Sequence, residues 1–379
     1  MTLAVAEPTY RDAEHAAVNA VFAQALVPSA VTLAATPAHW AALAASADGP
    51  LPPHEPIDVL APGGVTLRRM RAQWLTLTQL VTRHRVTSLV LLSAGPETLF
   101  VARALVTRHP DLIIHAVMHG NMADLAGWRS RDPRRRWIDL RAGLHWARHA
   151  RIRLVVLEHY IASAARAGGP GWHGLAHPLL VWPLPTLASE ALPATPWQPG
   201  PRLRITVPGV ANREKGFDDV LTLAAGAPQH DWYVTGRLGA EYRDCPPPIP
   251  AASGRLPRPA YLAALRRADY AILMQRPEYE MIASGSLLDC ATSRVPLIGL
   301  QTPALSALAI EHGPLGYLLP TINDVQALLA SDAVRDQAAY AGFQANLSAL
   351  HQSRTVGHLR PLMFRTLEPN PTKVGRLRL

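Results

Sequence analysis

Cysteine is nearly missing from this sequence: Cys245 and Cys290 are its only two, far apart and in no CxxC-like spacing. That excludes a disulfide framework and a cysteine-based zinc site, and it fits a reducing compartment. Lysine is as scarce, occurring only at Lys215 and Lys373, so arginine supplies almost all of the 37 basic residues behind a net charge of +9. The amino terminus lacks a basic stretch followed by a long apolar core, and no export signal is expected. Long hydrophobic runs are missing too. The alanine-rich stretch 16–47 is interrupted by Asn19, Gln24, Pro28, Pro37 and His39, so no transmembrane helix is expected. No RRM, KH or helix-turn-helix pattern occurs, which argues against a nucleic-acid partner.

What is present points to a two-domain α/β chain. A length of 379 residues with 49% hydrophobic content exceeds what one core usually holds. The preference for arginine, alanine and proline fits a GC-rich bacterial genome, and the basic surface favours an anionic partner. Short apolar runs at 2–6, 30–34, 57–60, 88–92, 112–118 and 153–157 read as strands. They alternate with helical patterns at 12–26, 37–46, 67–84, 99–109 and 134–150, the signature of βαβ units on a parallel sheet. A proline-rich stretch over 184–201 reads as a stiff linker. A second alternation follows, with strands at 202–207, 231–234, 270–274 and 295–300 and helices at 217–225, 259–267 and 285–292. The expected organisation is therefore a Rossmann-like domain over 1–183 and a second over 202–345. A terminal helix at 346–367 is expected to pack back on the first, ahead of a flexible tail, 368–379.

Two features of the second half carry chemistry. The loop VPGVANREKGFDD lies between a strand and a helix, where ligands of doubly wound sheets bind, and offers Gly209, Asn212, Arg213 and Lys215. A compact ammonium in a chain that otherwise uses arginine suits an anion; a solvated turn is the alternative. Further on, Ala283-Ser284-Gly285-Ser286 opens an apolar helix, so free backbone N–H groups and the positive end of its dipole are available to a diphosphate. Alone, this is also how an ordinary helix starts.

Together, residues 203–320 resemble the donor domain of GT-B glycosyltransferases, especially the large retaining group containing sucrose synthases and bacterial mannosyl- and glucosyltransferases. The resemblance rests on Gly209, on Lys215-Gly216-Phe217-Asp218, and on Ala268-Asp269-Tyr270, the loop 278–285, Leu288-Asp289-Cys290-Ala291 and Val295-Pro296. It implies two Rossmann-like domains with parallel sheets facing a central cleft. It also implies a nucleotide-diphosphate sugar donor of UDP or GDP type, with no other cofactor. Lys215 matches the family's diphosphate-binding lysine, and Arg213 stands in for an arginine whose place is taken by Val210. Ser284, Gly285 and Ser286 complete the diphosphate site. Asp289 replaces the ribose-binding glutamate, with Leu256 beside the nucleoside. Glu280, ahead of Glu278, is the candidate sugar contact in a remodelled loop. No DxD motif follows a strand, so metal is not expected, and fixed cations with a helix N-terminus would stabilise the departing diphosphate.

In the first half the resemblance is fainter. His119 ends a strand and is a candidate to touch the donor sugar or to act as general base, against the alternative of a solvent-facing histidine. The family's glycine-rich loop after the first strand is replaced by EPTYRDAEH, and Glu158-His159-Tyr160 end another strand. His145 and His149 have i, i+4 spacing, without a third ligand. The stretch from Arg129 to Arg153 holds nine arginines with Trp128, Trp137 and Trp146 interleaved. That mixture suits peripheral contact with an anionic membrane, or an ordinary helix packed on its sheet. The leading expectation is a cytoplasmic glycosyltransferase, peripheral at the inner face of the membrane, acting on a saccharide or lipid-linked saccharide in bacterial polysaccharide biosynthesis. A sugar-nucleotide epimerase and a non-catalytic nucleotide- or sugar-binding protein are the alternatives.

Overall fold

The structure is a computed structural model describing residues 1–60, 67–123, 139–167, 179–187, 196–242, 247–251, 256–276 and 281–368. The chain forms two compact units. One comprises Met1–Leu187, Met281–Ala283 and Arg354–Leu379, the other Ala188–Glu280 and Ser284–Ser353.

The first unit is built on a seven-stranded sheet: β1 (Leu3–Ala6), β2 (Ala30–Ala35), β3 (His54–Pro56), β4 (Ser88–Leu91), β5 (Ile113–Met118), β6 (Ile152–Val156) and β7 (Leu179–Val181). Its order is β3-β2-β1-β4-β5-β6-β7, and every pairing is parallel. The helices are α1 (Ala16–Leu26), α2 (Pro37–Ser46), α3 (Leu67–His84), α4 (Pro96–Arg108), α5 (Leu140–Trp146) and α6 (His159–Arg166). Strands β1, β4 and β6 are buried along their whole length, which is why they read as unbroken apolar runs. The strand expectations need correction at both edges. On one side the pairing strand is 54–56 rather than 57–60, because His54-Glu55-Pro56 takes the edge beside β2. On the other, β7 is an additional strand, too short and too exposed to show a periodicity in the sequence.

The second unit carries a five-stranded parallel sheet, ordered β12-β11-β10-β8-β9. Its strands are β8 (Arg204–Ala211), β9 (Asp231–Leu238), β10 (Tyr270–Leu273), β11 (Leu297–Leu300) and β12 (Gly316–Leu319). Its helices are α7 (Phe217–Gly226), α8 (Arg258–Leu265), α9 (Gly285–Ser293), α10 (Pro303–His312), α11 (Ile322–Leu329) and α12 (Gln337–Ser353). Helix starts follow local chemistry: Thr302 accepts from the Leu305 N–H ahead of Pro303, and Thr321 with Asp324 forms a reciprocal capping box. Phe217, Ile205, Tyr270, Ile272 and Ile298 lie in its core.

At Arg354 the chain returns to the first unit as α13 (Val356–Leu367), which packs on α1. The return is fixed by polar anchors. The buried Arg354 pairs with Glu158 at 3.2 Å, and its carbonyl accepts from the Thr186 N–H. Arg153 on β6 donates to the carbonyls of Thr366 and Glu368, and the Trp182 indole donates to Thr366. Among the described residues no helix is long and apolar enough to cross a membrane.

Candidate functional site

The carboxyl ends of β8 and β10 gather most of the second half's candidates. Gly209, near the end of β8, has φ 77°, a conformation glycine adopts without penalty. A Cβ there would lie 2.6 Å from Ser286 Oγ and 3.6 Å from Lys215 Nζ, so all three converge on one point. Gly236, its partner across the β8–β9 ladder, is constrained in turn, because a Cβ there would fall on the Gly209 carbonyl.

Lys215 is aimed by the turn that carries it. Asn212 caps a single 3-10 turn by accepting from the Lys215 N–H at 3.0 Å. Gly216 then takes the left-handed conformation, φ 71°, directly over the Met274 carbonyl. Phe217 drops into the core, edge-on to Tyr242. With the backbone so fixed, Lys215 Nζ donates to Ser286 Oγ at 3.3 Å. Burial pushes the Lys215 pKa down, and nearby Asp289 only partly offsets this. Among the described residues no carboxylate forms an ion pair with it.

Ser284 caps α9, accepting from the Leu287 N–H, and it also accepts from Gln275 Nε2 at 3.0 Å. Gly285 has nothing within 4 Å of where its Cβ would stand, so the start of α9 is exposed there, and of its first-turn N–H groups that of Leu287 is taken up by the Ser284 cap. Gly209, Lys215, Ser284, Gly285 and Ser286 are thus brought together. Chemically the arrangement is a cationic, donor-rich cradle for an oxyanion.

Arg213 and Asp289 are engaged elsewhere. The Arg213 side chain is 69% exposed and pairs with Asp218 at 3.3 Å, while its own N–H donates to Glu241. Asp289 is largely buried and pairs with Arg258 at 2.7 Å, beside Tyr261, whose hydroxyl pKa is pushed up by burial and by that carboxylate. Leu256 lies two residues ahead of α8, partly buried. Glu278 and Glu280 lie outside the described residues, as does 124–138 of the arginine-rich stretch. The expected helix over 134–150 ends at Trp146, so His145 and His149 do not share a helix face, and His149 accepts from the Arg151 N–H instead. No group of three metal-ligating side chains occurs among the described residues.

In the first unit, His119 follows β5. Its Nε2 donates to the Leu92 carbonyl at 2.7 Å, and its ring lies 4.4 Å from that of His15. Burial, with a contribution from His15, pushes its pKa down to about 3, so the imidazole is neutral. A cluster the sequence left unassigned lies at the end of β1, where the strand order reverses between β2 and β4. Glu7 is fully buried and accepts from the Thr9 and Tyr10 N–H groups, from Asn19 and from Ser93. Burial raises its pKa to about 7 despite those hydrogen bonds. Its place directly after the first strand was the available signal; Gln275, two residues past β10, had the same one. Arg258 had none, because its partner Asp289 is distant in the sequence.

No family model matches the sequence, and no curated protein does. Solved structures do match. HepE of Anabaena, in complex with UDP and glucose, is 13% identical with a TM-score of 0.65, over 98% of this chain and 100% of that one. Sucrose-phosphate synthase of Thermosynechococcus elongatus is 13% identical with a TM-score of 0.69, over 97% and 99%. A TarM mutant of S. aureus, in complex with Fondaparinux, alpha-GlcNAc-glycerol and UDP, is 12% identical with a TM-score of 0.55, over 78% and 58%. At such identities the likeness is one of fold. The chain has the α/β, two-sheet GT-B glycosyltransferase fold that the motif resemblance implied.

Proposed function

We propose that the chain is a nucleotide-sugar-dependent glycosyltransferase, with the diphosphate of its donor held in the second unit. The observation that carries this is Lys215: a partly buried ammonium with no ion-pair partner among the described residues, 3.3 Å from a hydroxyl on the first turn of a helix that starts at the exposed Gly285. A site of this kind is incomplete without an anion. In the reaction, charge develops on the departing diphosphate, and Lys215, Ser286 and the α9 N-terminus stabilise it where it forms. HepE, bound to UDP and to UDP-glucose in its own structures, supports a uridine donor.

In this reading Asp289, held by Arg258, orients toward the ribose beside Leu256, and Glu280 meets the donor sugar. His119 hydrogen-bonds substrate as a neutral imidazole; its low basicity does not suit proton removal at neutral pH. Arg213 serves the turn that aims Lys215. The acceptor is a saccharide or lipid-linked saccharide, with the chain at an anionic membrane. The exposed Trp146, resting on Phe100, is the part of the Arg129–Arg153 stretch that supports this.

Thermal-shift screening against UDP, GDP, ADP and dTDP tests the core of the reading. One diphosphate should stabilise the wild type, Lys215→Ala should lose most of the effect, and Asp289→Ala should weaken it. Stabilisation by none of the four would sink it. Flotation with anionic liposomes tests the membrane part, which fails if replacing Arg134, Arg135 and Arg136 leaves binding unchanged.

A further inference from the structure

The second unit has a cavity at the other end of its sheet. It holds about 260 Å³ and is lined by Arg204 at the start of β8, by Ala268 and Asp269 before β10, and by Ser293 and Arg294 before β11. It therefore opens at the amino ends of the strands, about 16 Å along β8 from Gly209 at ~3.3 Å per residue. One wall is aromatic: Trp197, near the end of the expected linker, stacks on Tyr340 with ring centroids 3.9 Å apart.

The charge balance of the lining is positive. Arg204, Arg266 and Arg294 all border the cavity, whereas Asp269 is its single carboxylate. That carboxylate is committed to its own wall, accepting from the Arg204 backbone N–H, from the Arg204 guanidinium and from the Trp197 indole. Arg294 caps the carboxyl end of α9, and a helix dipole offsets only about half a charge. Two polar atoms of the wall residues lack a hydrogen-bond partner among the described residues. Ser293 is 5% exposed and its Oγ has no hydrogen-bond partner among the described residues, and neither has Arg294 Nε. Both atoms are shut off from solvent, so they lie inside the cavity wall rather than on its surface. Arg294 is moreover held at φ 54°, a cap position where glycine costs less.

We infer that this cavity binds a small phosphomonoester such as a sugar phosphate, independently of the diphosphate cradle. The phosphate lies against Arg294, within the field of Arg204 and Arg266, and the carbon skeleton against Trp197. The volume sets the ligand as small, being under the ~300 Å³ where drug-sized pockets begin.

The test is thermal shift and calorimetry with about 10 mM glucose 6-phosphate, against glucose at matched ionic strength. The phosphate ester should raise the wild-type Tm by about 2–4 °C, and glucose should not. Lys215→Ala should keep the response, which separates this site from the donor site whatever becomes of that reading. Arg294→Gly removes the guanidinium while easing the left-handed backbone, so the protein stays folded, and the response should vanish; Arg266→Ala should weaken binding several-fold in Kd. No wild-type shift, a shift surviving both arginine variants, or a shift abolished by Lys215→Ala would each overturn the inference.

Discussion

Lys215 concentrates the energetics of the candidate site in one side chain. An ammonium drawn partly out of water without a carboxylate partner costs the free protein stability, and its lowered pKa expresses that cost. Binding a diphosphate reverses the balance, since a charge-assisted hydrogen bond contributes about 1.5–3 kcal/mol. The two effects have opposite signs in a variant. Lys215→Met, which keeps the stem and drops the charge, should leave the free protein as stable or about 1 kcal/mol more stable, while weakening diphosphate binding by at least tenfold. Denaturant titration and calorimetry on the same samples check both halves. A loss of stability together with unchanged binding would show that Lys215 is a structural residue.

At the scale of elements, the glycines that open α7 and α9 serve different ends. Gly216 is demanded by the fold: its φ of 71° is left-handed, and a Cβ would fall on the Met274 carbonyl. Gly216→Ala should therefore destabilise by about 2–4 kcal/mol, from a disfavoured backbone added to a clash with main chain that cannot move aside. Gly285 is not demanded by the fold, since its Cβ would meet nothing within 4 Å. Gly285→Ala should hold or raise stability by about 0.4–1 kcal/mol, because alanine restricts the unfolded chain. The same methyl is added at the exposed start of α9, beside the cradle, and should weaken diphosphate binding several-fold. Chemical unfolding of both variants, followed by nucleotide titration of Gly285→Ala, separates the two roles. These elements also show what a sequence reveals. Lys215-Gly216-Phe217 and Ser284-Gly285-Ser286 were legible because each acts within one turn, through a cap, a left-handed residue or a buried aromatic next in line. The pairing of Asp289 with Arg258 and of Arg213 with Asp218 was not, since a charge's partner is chosen by packing and leaves no local pattern.

Across the whole chain, the parallel sheets were legible for a related reason: strands buried on both faces are written as continuous apolar runs, whereas the half-buried edge strands β7 and β12 have no such mark. Burial also sets how the molecule responds to pH, and unevenly. In the first unit His115 and His119 are buried with pKa values pushed down to about 3, and His15, more exposed, to about 4. A depressed histidine contributes stability that is fully present above its unfolded value near 6.5 and is lost as pH falls below it. At pH 5 each of the two buried rings withdraws about 2 kcal/mol. Glu7 acts in the opposite sense. Its raised pKa, about 7 against 4.5, means that stability is lost as pH rises through that window and recovered as pH falls. The histidines outnumber it, so the first unit should lose stability between pH 6.5 and 5, with Glu7 blunting the loss. In the second unit, among the described residues, only His351 is pushed comparably low, to about 4. Hydrogen exchange followed by mass spectrometry at pH 7, 6 and 5, corrected for the intrinsic rate, should show protection falling first in β1, β4 and β5. Glu7→Gln removes the opposing titration and should steepen that fall. A first unit whose protection is unchanged at pH 5, or a Glu7→Gln variant with a shallower profile than wild type, would mean that these buried groups do not govern its acid response.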